Sequence, residues 1–280
     1  MSKIVIFGSK GMLGHAFLSN NNIKIYKAFS HSEIDISNFD ILEKTIEKIK
    51  PDIVINCAAY TNVSKAEQEK DKALRANYEG VKNISRVCKD NKVKLIHFST
   101  DYVFDGTKKK DYLETDSPNP INYYGRTKLM GEEVIQKLID DFIIIRVSWL
   151  YGNNGNNFFC SVKNWMQEKE KLDIVSDQIG KTTYTLDVVT ATKRLLNSNC
   201  KGIYHFTNSG SCSRYEFAKE IKKVLNLDCK LVPVSSDQFP DPVPRPQKTT
   251  LSTEKYQKDT ETEIPFWKDS LRKYLKNISN

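Results

Sequence analysis

The chain has 280 residues, 39% of them hydrophobic and 28% charged, the balance of an ordinary globular protein with length for one large or two modest domains. No apolar run approaches the roughly 18 residues of a membrane span, and the opening MSKIVIFGSK lacks the small-residue cleavage site of a signal peptide, so no membrane and a cytoplasmic location are expected. The net charge of +8 raises nucleic acid as a partner, but the lysines are interleaved with acids or apolar residues, as in ILEKTIEKIK, without stacking aromatics, and no nucleic acid is expected.

Five apolar runs punctuate the first half: residues 3–8 (KIVIFG), 23–29 (IKIYKAF), 52–58 (DIVINCA), 93–99 (VKLIHFS) and 142–148 (FIIIRVS). Their Val/Ile content is nearly continuous rather than alternating, which marks strands covered on both faces. Segments of helical period lie between them, among them DILEKTIEKIK and YEGVKNISRVCKD. Strand and helix in alternation predict an α/β fold with a Rossmann-type doubly wound parallel sheet and right-handed crossovers. Residues 1–150 are expected to form this dinucleotide-binding domain, with 172–206 contributing to its sheet through the runs 172–176 (LDIVS) and 202–208 (GIYHFTN). A smaller substrate-binding lobe is expected from 151–171 and 207–280, including the helix SRYEFAKEIKKVLN, the proline-rich FPDPVPRPQ and the closing FWKDSLRKYLKNI. The six cysteines are scattered without a C-x-x-C pair, against a disulfide framework or structural zinc.

The first run leads into FGSKGMLGHAF, which places Gly8, Gly11 and Gly14 between strand one and helix one. Glycines there let a backbone approach a pyrophosphate, and the free N–H groups of a helix start receive it. The spacing is G-x-x-G-x-x-G rather than G-x-G-x-x-G, and a plain tight turn is the alternative. The second run ends at YKAFSHSEIDIS, with Ser30 and His31 near its end and Glu33 and Asp35 later. No carboxylate stands clearly where a ribose 2′-hydroxyl would be held, and Lys27 and His31 suit a 2′-phosphate. NADPH is therefore expected, with NADH the second option.

The fourth run ends at Thr100, followed by Asp101, two aromatics and an Asp105-Gly106 turn. Loops leaving a rigid sheet are where functional groups collect. Further on, INYYGRTKLMGE carries Tyr124 and Lys128, four residues apart and so neighbours on a helix. An ammonium beside a phenol lowers the phenol's pKa toward working pH and lets it act as a general acid. A surface tyrosine beside a solvated lysine has the same spacing.

The glycine turn, the strand-end threonine and the Tyr-Lys pair occur in the order and spacing of the short-chain dehydrogenase/reductase superfamily. Within it the chain resembles the dTDP-4-dehydrorhamnose reductases. The resemblance rests on NCAAYTNVSKAE, STDYVFDG, NYYGRTKLMGE, RVSWLYG, NNFF, DQIGKTT, GIYHFTNSG and RPQKTTLSTEKY, spread over essentially the whole length. It implies NAD(P)H-dependent reduction of the C4 ketone of dTDP-4-dehydro-L-rhamnose to dTDP-L-rhamnose, a precursor for polysaccharide synthesis. It also implies Thr100, Tyr124 and Lys128 as catalytic residues: Thr100 bonded to the carbonyl, Tyr124 the acid, Lys128 tuning that acid and holding the nicotinamide ribose. Cofactor contacts are implied at Gly8, Gly11, Met12, Leu13, Gly14, Asp35, Ile36, Ala58, Ala59, Tyr60 and Ser99, besides Tyr124 and Lys128. Substrate contacts are implied at Val63, Tyr102, Val103, Phe104, Trp149 and Arg245, besides Thr100 and Tyr124; core packing is the alternative for Val103, Phe104 and Trp149. No metal is expected, since His15 follows Gly14 where some relatives place a carboxylate, and the chain is expected as a monomer or homodimer.

The chain departs from the family pattern at Ser64 (often Asp), Arg214 (often Trp), Lys181 and Thr182 (often a small residue and Pro) and Thr249 (usually Ser). None of these touches Thr100, Tyr124 or Lys128. Dehydratases of the superfamily usually carry Glu where Tyr102 stands, which argues against that chemistry. A reductase of another 4-keto-6-deoxy sugar, such as one leading to 6-deoxy-talose, and a non-catalytic nucleotide-binding regulator are the remaining alternatives.

Overall fold

Alternating residues of the first strand face opposite ways, Ile4 and Ile6 into one core and Val5 and Phe7 into another. Both faces are buried, which is why Val and Ile fill consecutive positions. A computed structural model describes residues 2–20, 22–239 and 242–279; Pro240 and Asp241 of the proline-rich stretch lie outside the described residues. The strands are β1 (Ile4–Phe7), β2 (Lys27–Phe29), β3 (Ile53–Asn56), β4 (Lys94–Thr100) and β5 (Phe142–Val147). With Gly202–His205 they form one six-stranded sheet in the order Gly202–His205, β5, β4, β3, β1, β2, parallel at every pairing. The order reverses between β1 and β3, so the crevice beyond their carboxyl ends is the place where such sheets bind ligands. Of the run 23–29 only Lys27–Phe29 pairs, as the edge of the sheet.

One face is covered by α1 (Met12–Ser19) and the helix Thr185–Asn197, which supplies Val188, Val189 and Leu195 to the core with Ile6, Ile55 and Ile96. The other is covered by the helices Phe39–Ile49, Gly80–Asp90 and Tyr123–Leu138, through Leu42, Ile46, Val81, Ile84 and Ile135. A third core joins Tyr151, Phe159, Phe217, Trp267 and Tyr274 in the smaller lobe.

The expectation for 172–206 needs correction at its start. Lys171–Val175 does not enter the large sheet; it pairs in parallel with Lys230–Val234 as a separate two-stranded ladder. Only Gly202–His205 joins the sheet, beside β5. The burial of Lys171–Val175 alternates, with Leu172 and Ile174 inward and Lys171 and Asp173 exposed. One solvated face suits a small peripheral ladder rather than a doubly covered sheet. The C-terminal segment also returns to the first core, where Tyr256 packs edge-on against Phe206 at 5.0 Å.

Candidate active site

The turn after β1 is built by close approach. Gly8 has φ +82, and a Cβ on it would lie 2.4 Å from the Ala58 nitrogen; one on Gly14 would lie 2.2 Å from the Gly8 oxygen. The chain thus closes tightly on itself and on the loop after β3, and α1 begins with Gly11 as an N-cap without a side-chain acceptor and with no acidic residue in its first turn. Its leading N–H groups are left for an anion. The Ser99 hydroxyl, near the end of β4, is buried and has no hydrogen-bond partner among the described residues. These features fit a dinucleotide with its pyrophosphate at the glycine turn.

At the end of β2 both candidate carboxylates are already engaged. Glu33 accepts from the Ser30 backbone N–H at 2.8 Å and its hydroxyl at 2.7 Å, closing the turn there. Asp35 accepts from Arg75 at 2.9 Å and from the Ser37 hydroxyl at 2.8 Å. Lys10 and Lys27 act on Glu33 electrostatically, so the surroundings are cationic. This favours a 2′-phosphate over a bare 2′-hydroxyl. The Ile36 side chain, implied near the adenine, is buried in the second core.

Past β3, Ala58 and Tyr60 are half-buried and Ala59 exposed. Their loop is held by a residue that sequence reasoning missed. Asn77 accepts from the Tyr60 N–H at 2.9 Å, donates to the Tyr60 carbonyl at 3.0 Å and reaches the Thr127 hydroxyl at 3.1 Å. It sits in Arg75–Glu79, a wide π-turn inserted between two α-helical stretches, the kind of irregularity that recurs at functional sites. The polar Asn77 within an apolar helical pattern was the available signal.

The helix Tyr123–Leu138 starts at Asn122, whose side chain accepts from the Gly125 N–H. Tyr124 and Lys128 share one of its faces. Thr100, the last residue of β4, lies close enough to the Tyr124 phenol for its hydroxyl to act on the phenol's titration, and the Tyr102 ring meets the Tyr124 ring edge-on at 6.0 Å. Lys128 is buried, donates to the Phe98 carbonyl at 2.7 Å and lies 3.2 Å from His97 Nε2. His97 Nδ1 in turn meets Asn56 Nδ2 at 3.1 Å, and Asn56 Oδ1 accepts from the Ala58 N–H at 3.0 Å. Asn56 and His97 are direct register partners of β3 and β4, so a polar chain spans the strand ends below the lysine.

Burial pushes the Tyr124 phenol above its ordinary range; the nearby Thr100 hydroxyl opposes this and Asp101 adds to it. The expected lowering by the ammonium is therefore not what the structure shows. Lys128 turns its charge to Phe98, and desolvation dominates at the phenol. Burial also lowers Lys128 to about 8, against the charge of Glu132. Asp101 is pushed up to about 6 by burial, opposed by hydrogen bonds from Thr249 and Thr100 and by Arg214. Tyr124 thus stays a protonated hydroxyl beside Thr100, a pair of O–H groups able to bind one carbonyl oxygen.

The implied substrate residues divide. Val63 is half-buried at the start of a short helix; next to it Ser64 accepts from Arg245 at 3.0 Å, and Arg245 also reaches the Tyr102 hydroxyl at 3.5 Å. Trp149 lies under the guanidinium of Arg214, 3.7 Å from its ring centroid. For the side chains of Val103 and Phe104 the packing fits the core alternative: both residues are 0% exposed, in a cluster with Tyr112 and Leu251 where Phe104 stacks on Tyr112 at 4.2 Å. They shape the site from behind.

A family model, the RmlD substrate binding domain, matches residues 2–280. A dTDP-4-keto-6-deoxy-D-glucose reductase of Streptomyces niveus is 34% identical, over 95% of this chain and 94% of its own length. A dTDP-4-dehydrorhamnose reductase of Mycolicibacterium smegmatis is 35% identical, over 96% of this chain and 84% of its own. Among solved structures, a dTDP-4-dehydrorhamnose reductase from Bacillus anthracis in complex with NADP superposes with a TM-score of 0.95 at 34% identity, covering 99% of both chains.

Proposed function

The chain belongs to the RmlD substrate binding domain family, and on that premise we propose that it is an NADPH-dependent reductase of the C4 ketone of dTDP-4-dehydro-L-rhamnose, forming dTDP-L-rhamnose. The observation that carries the reading is Tyr124 on the helix that holds buried Lys128, beside Thr100 at the end of β4, with Lys128 anchored on the Phe98 carbonyl of that strand. The names of the relatives support the substrate class, and the NADP complex of the Bacillus anthracis neighbour supports the cofactor.

Bound NADPH supplies the hydride. Gly8, Gly11 and Gly14, with the N–H groups of Met12 and Leu13, hold the pyrophosphate end, while Ala58, Ala59 and Tyr60 line the crevice across the sheet's switch point. Ser99 offers its unpartnered hydroxyl near the strand end. Tyr124 and Thr100 donate to the ketone oxygen, and Tyr124 releases its proton to the alkoxide as charge develops. The phenol enters the cycle protonated, as the acid of a reduction must. Lys128, anchored on Phe98, fixes the helix turn that carries Tyr124 and would hold the nicotinamide ribose. Val63, Tyr102, Trp149 and Arg245 surround the sugar nucleotide.

A second reading, reduction of dTDP-4-keto-6-deoxy-D-glucose, is favoured by the Streptomyces niveus relative. The two sugars differ in ring stereochemistry and share the ketone. Purified protein with NADPH and a panel of dTDP-4-keto sugars separates them by following loss of reduced cofactor. Turnover of the rhamnose precursor with the highest kcat/KM supports the main reading; preference for the glucose-derived ketone replaces it with the second; no turnover of any ketone sinks both.

A further inference from the structure

We propose that Arg214 is a specificity-determining residue that clamps the diphosphate of the nucleotide sugar together with Arg245. The proposal rests on the functional reading above and extends it to a position where this chain departs from the family pattern.

Arg214 opens the helix Arg214–Leu225 on the lobe side of the cleft. The face of its guanidinium lies 3.7 Å from the Trp149 ring centroid and 4.9 Å from that of Phe158. The platform is rigid. Trp149 has φ +43, a left-handed conformation that bulky residues rarely hold, and its indole rests where a Cβ on Gly180 would be only 2.5 Å away. Such strain in an aromatic residue at a cleft is characteristic of a positioned binding surface.

Stacking uses only the flat face of a guanidinium. Its five N–H donors lie in the plane, and among the described residues they make no hydrogen bond and no ion pair. The electrostatics are poor without a ligand. Burial works against the Arg214 charge and Arg245 adds like-charge repulsion, offset in part by Tyr102, Asp101 and Cys212. A cation at a helix N-terminus also faces the positive end of the helix dipole. Asp101 acts on Arg214 only through space: among the described residues no hydrogen bond or ion pair joins the two, and without substrate Asp101 accepts from Thr249 and Thr100.

Two guanidiniums, one lacking any acceptor, therefore converge near Tyr102, two residues from Thr100. A sugar whose ketone meets Thr100 and Tyr124 carries its diphosphate away from that point, and a diphosphate has the charge and the oxygens that two forks satisfy. A lysine cannot replace Arg214 fully, because it lacks both the planar face and the fork.

The test uses NADPH-loaded protein titrated with dTDP, thymidine and inorganic pyrophosphate, for wild type, Arg214→Gln and Arg214→Lys. NADPH affinity and the melting temperature serve as folding controls. Arg214→Gln is expected to weaken dTDP ~10–100-fold, to leave thymidine within about twofold, and to raise KM for the sugar nucleotide far more than it lowers kcat; Arg214→Lys falls between. Unchanged dTDP affinity in Arg214→Gln overturns the clamp while leaving the reductase reading intact. An equal loss for thymidine also overturns it, by making Arg214 a contact of the base. A wild-type protein that binds no dTDP sinks the clamp and the functional reading together.

Discussion

Lys128 donates to the carbonyl oxygen of Phe98 at 2.7 Å, joining the helix that carries Tyr124 to the strand that ends at Thr100. The two hydroxyls of the site come from different elements, and this bond ties those elements together. The lysine is held there despite desolvation, and that has a signature in pH.

The unfolded chain titrates this lysine near its ordinary value of 10.5, the folded one near 8. Between those values the unfolded state binds more protons, so the contribution of this group to stability rises with pH from about 8 to about 10.5 and is least favourable below 8. The stability of Lys128→Met minus that of wild type should therefore fall as pH rises across that window. Urea unfolding at pH 7, 8, 9 and 10 measures it, and a pH-independent difference would count against a buried, titrating amine.

Glu132 and Arg146 form an ion pair at 2.6 Å with side chains 0% and 2% exposed, tying the same helix to β5. Removing one member strands the other charge in the core. Glu132→Gln should cost about 3–5 kcal/mol of stability, seen as a large drop in the urea midpoint. A shift of under about 1 kcal/mol would mean that Arg146 finds another acceptor.

Gly14→Ala places a methyl 2.2 Å from the Gly8 oxygen and cannot be accommodated without opening the turn. The variant should lose NADPH binding by at least ~100-fold, and turnover with it. Fluorescence titration of NADPH reads this directly; near-normal affinity would move the cofactor site elsewhere.

Asn77→Ala leaves both backbone groups of Tyr60 without their partner and frees the Thr127 contact. The expected cost is about 1–3 kcal/mol, with weaker NADPH binding because the loop after β3 loosens. If stability falls and cofactor affinity does not, Asn77 is a folding residue only.

Much of this was legible in the chain because it is written locally. Strands buried on both faces read as Val/Ile runs, a glycine turn sits between strand and helix, and Tyr124 and Lys128 are one helical turn apart. What escaped depends on distant partners. The ladder of Lys171–Val175 with Lys230–Val234 joins segments far apart in sequence, and the second strand contains Pro233, which argues against a strand when read alone. Glu132 and Arg146 carry no pattern that marks them as a buried pair. Val103 and Phe104 follow the site threonine closely enough to suggest substrate contact, yet the short 3₁₀ turn Asp101–Val103 sends their side chains into the core. The phenol's titration was misjudged because adjacency to an ammonium is visible in sequence and desolvation is not.

The central claim is that the Tyr124 phenol delivers the proton to the reduced ketone. Replacing Tyr124 by Phe and following NADPH oxidation with dTDP-4-dehydro-L-rhamnose tests it most directly. The account predicts a fall in kcat of ~10²–10⁴-fold with NADPH affinity within about twofold of wild type; a kcat within about threefold of wild type, in a folded variant that still binds NADPH, would contradict it.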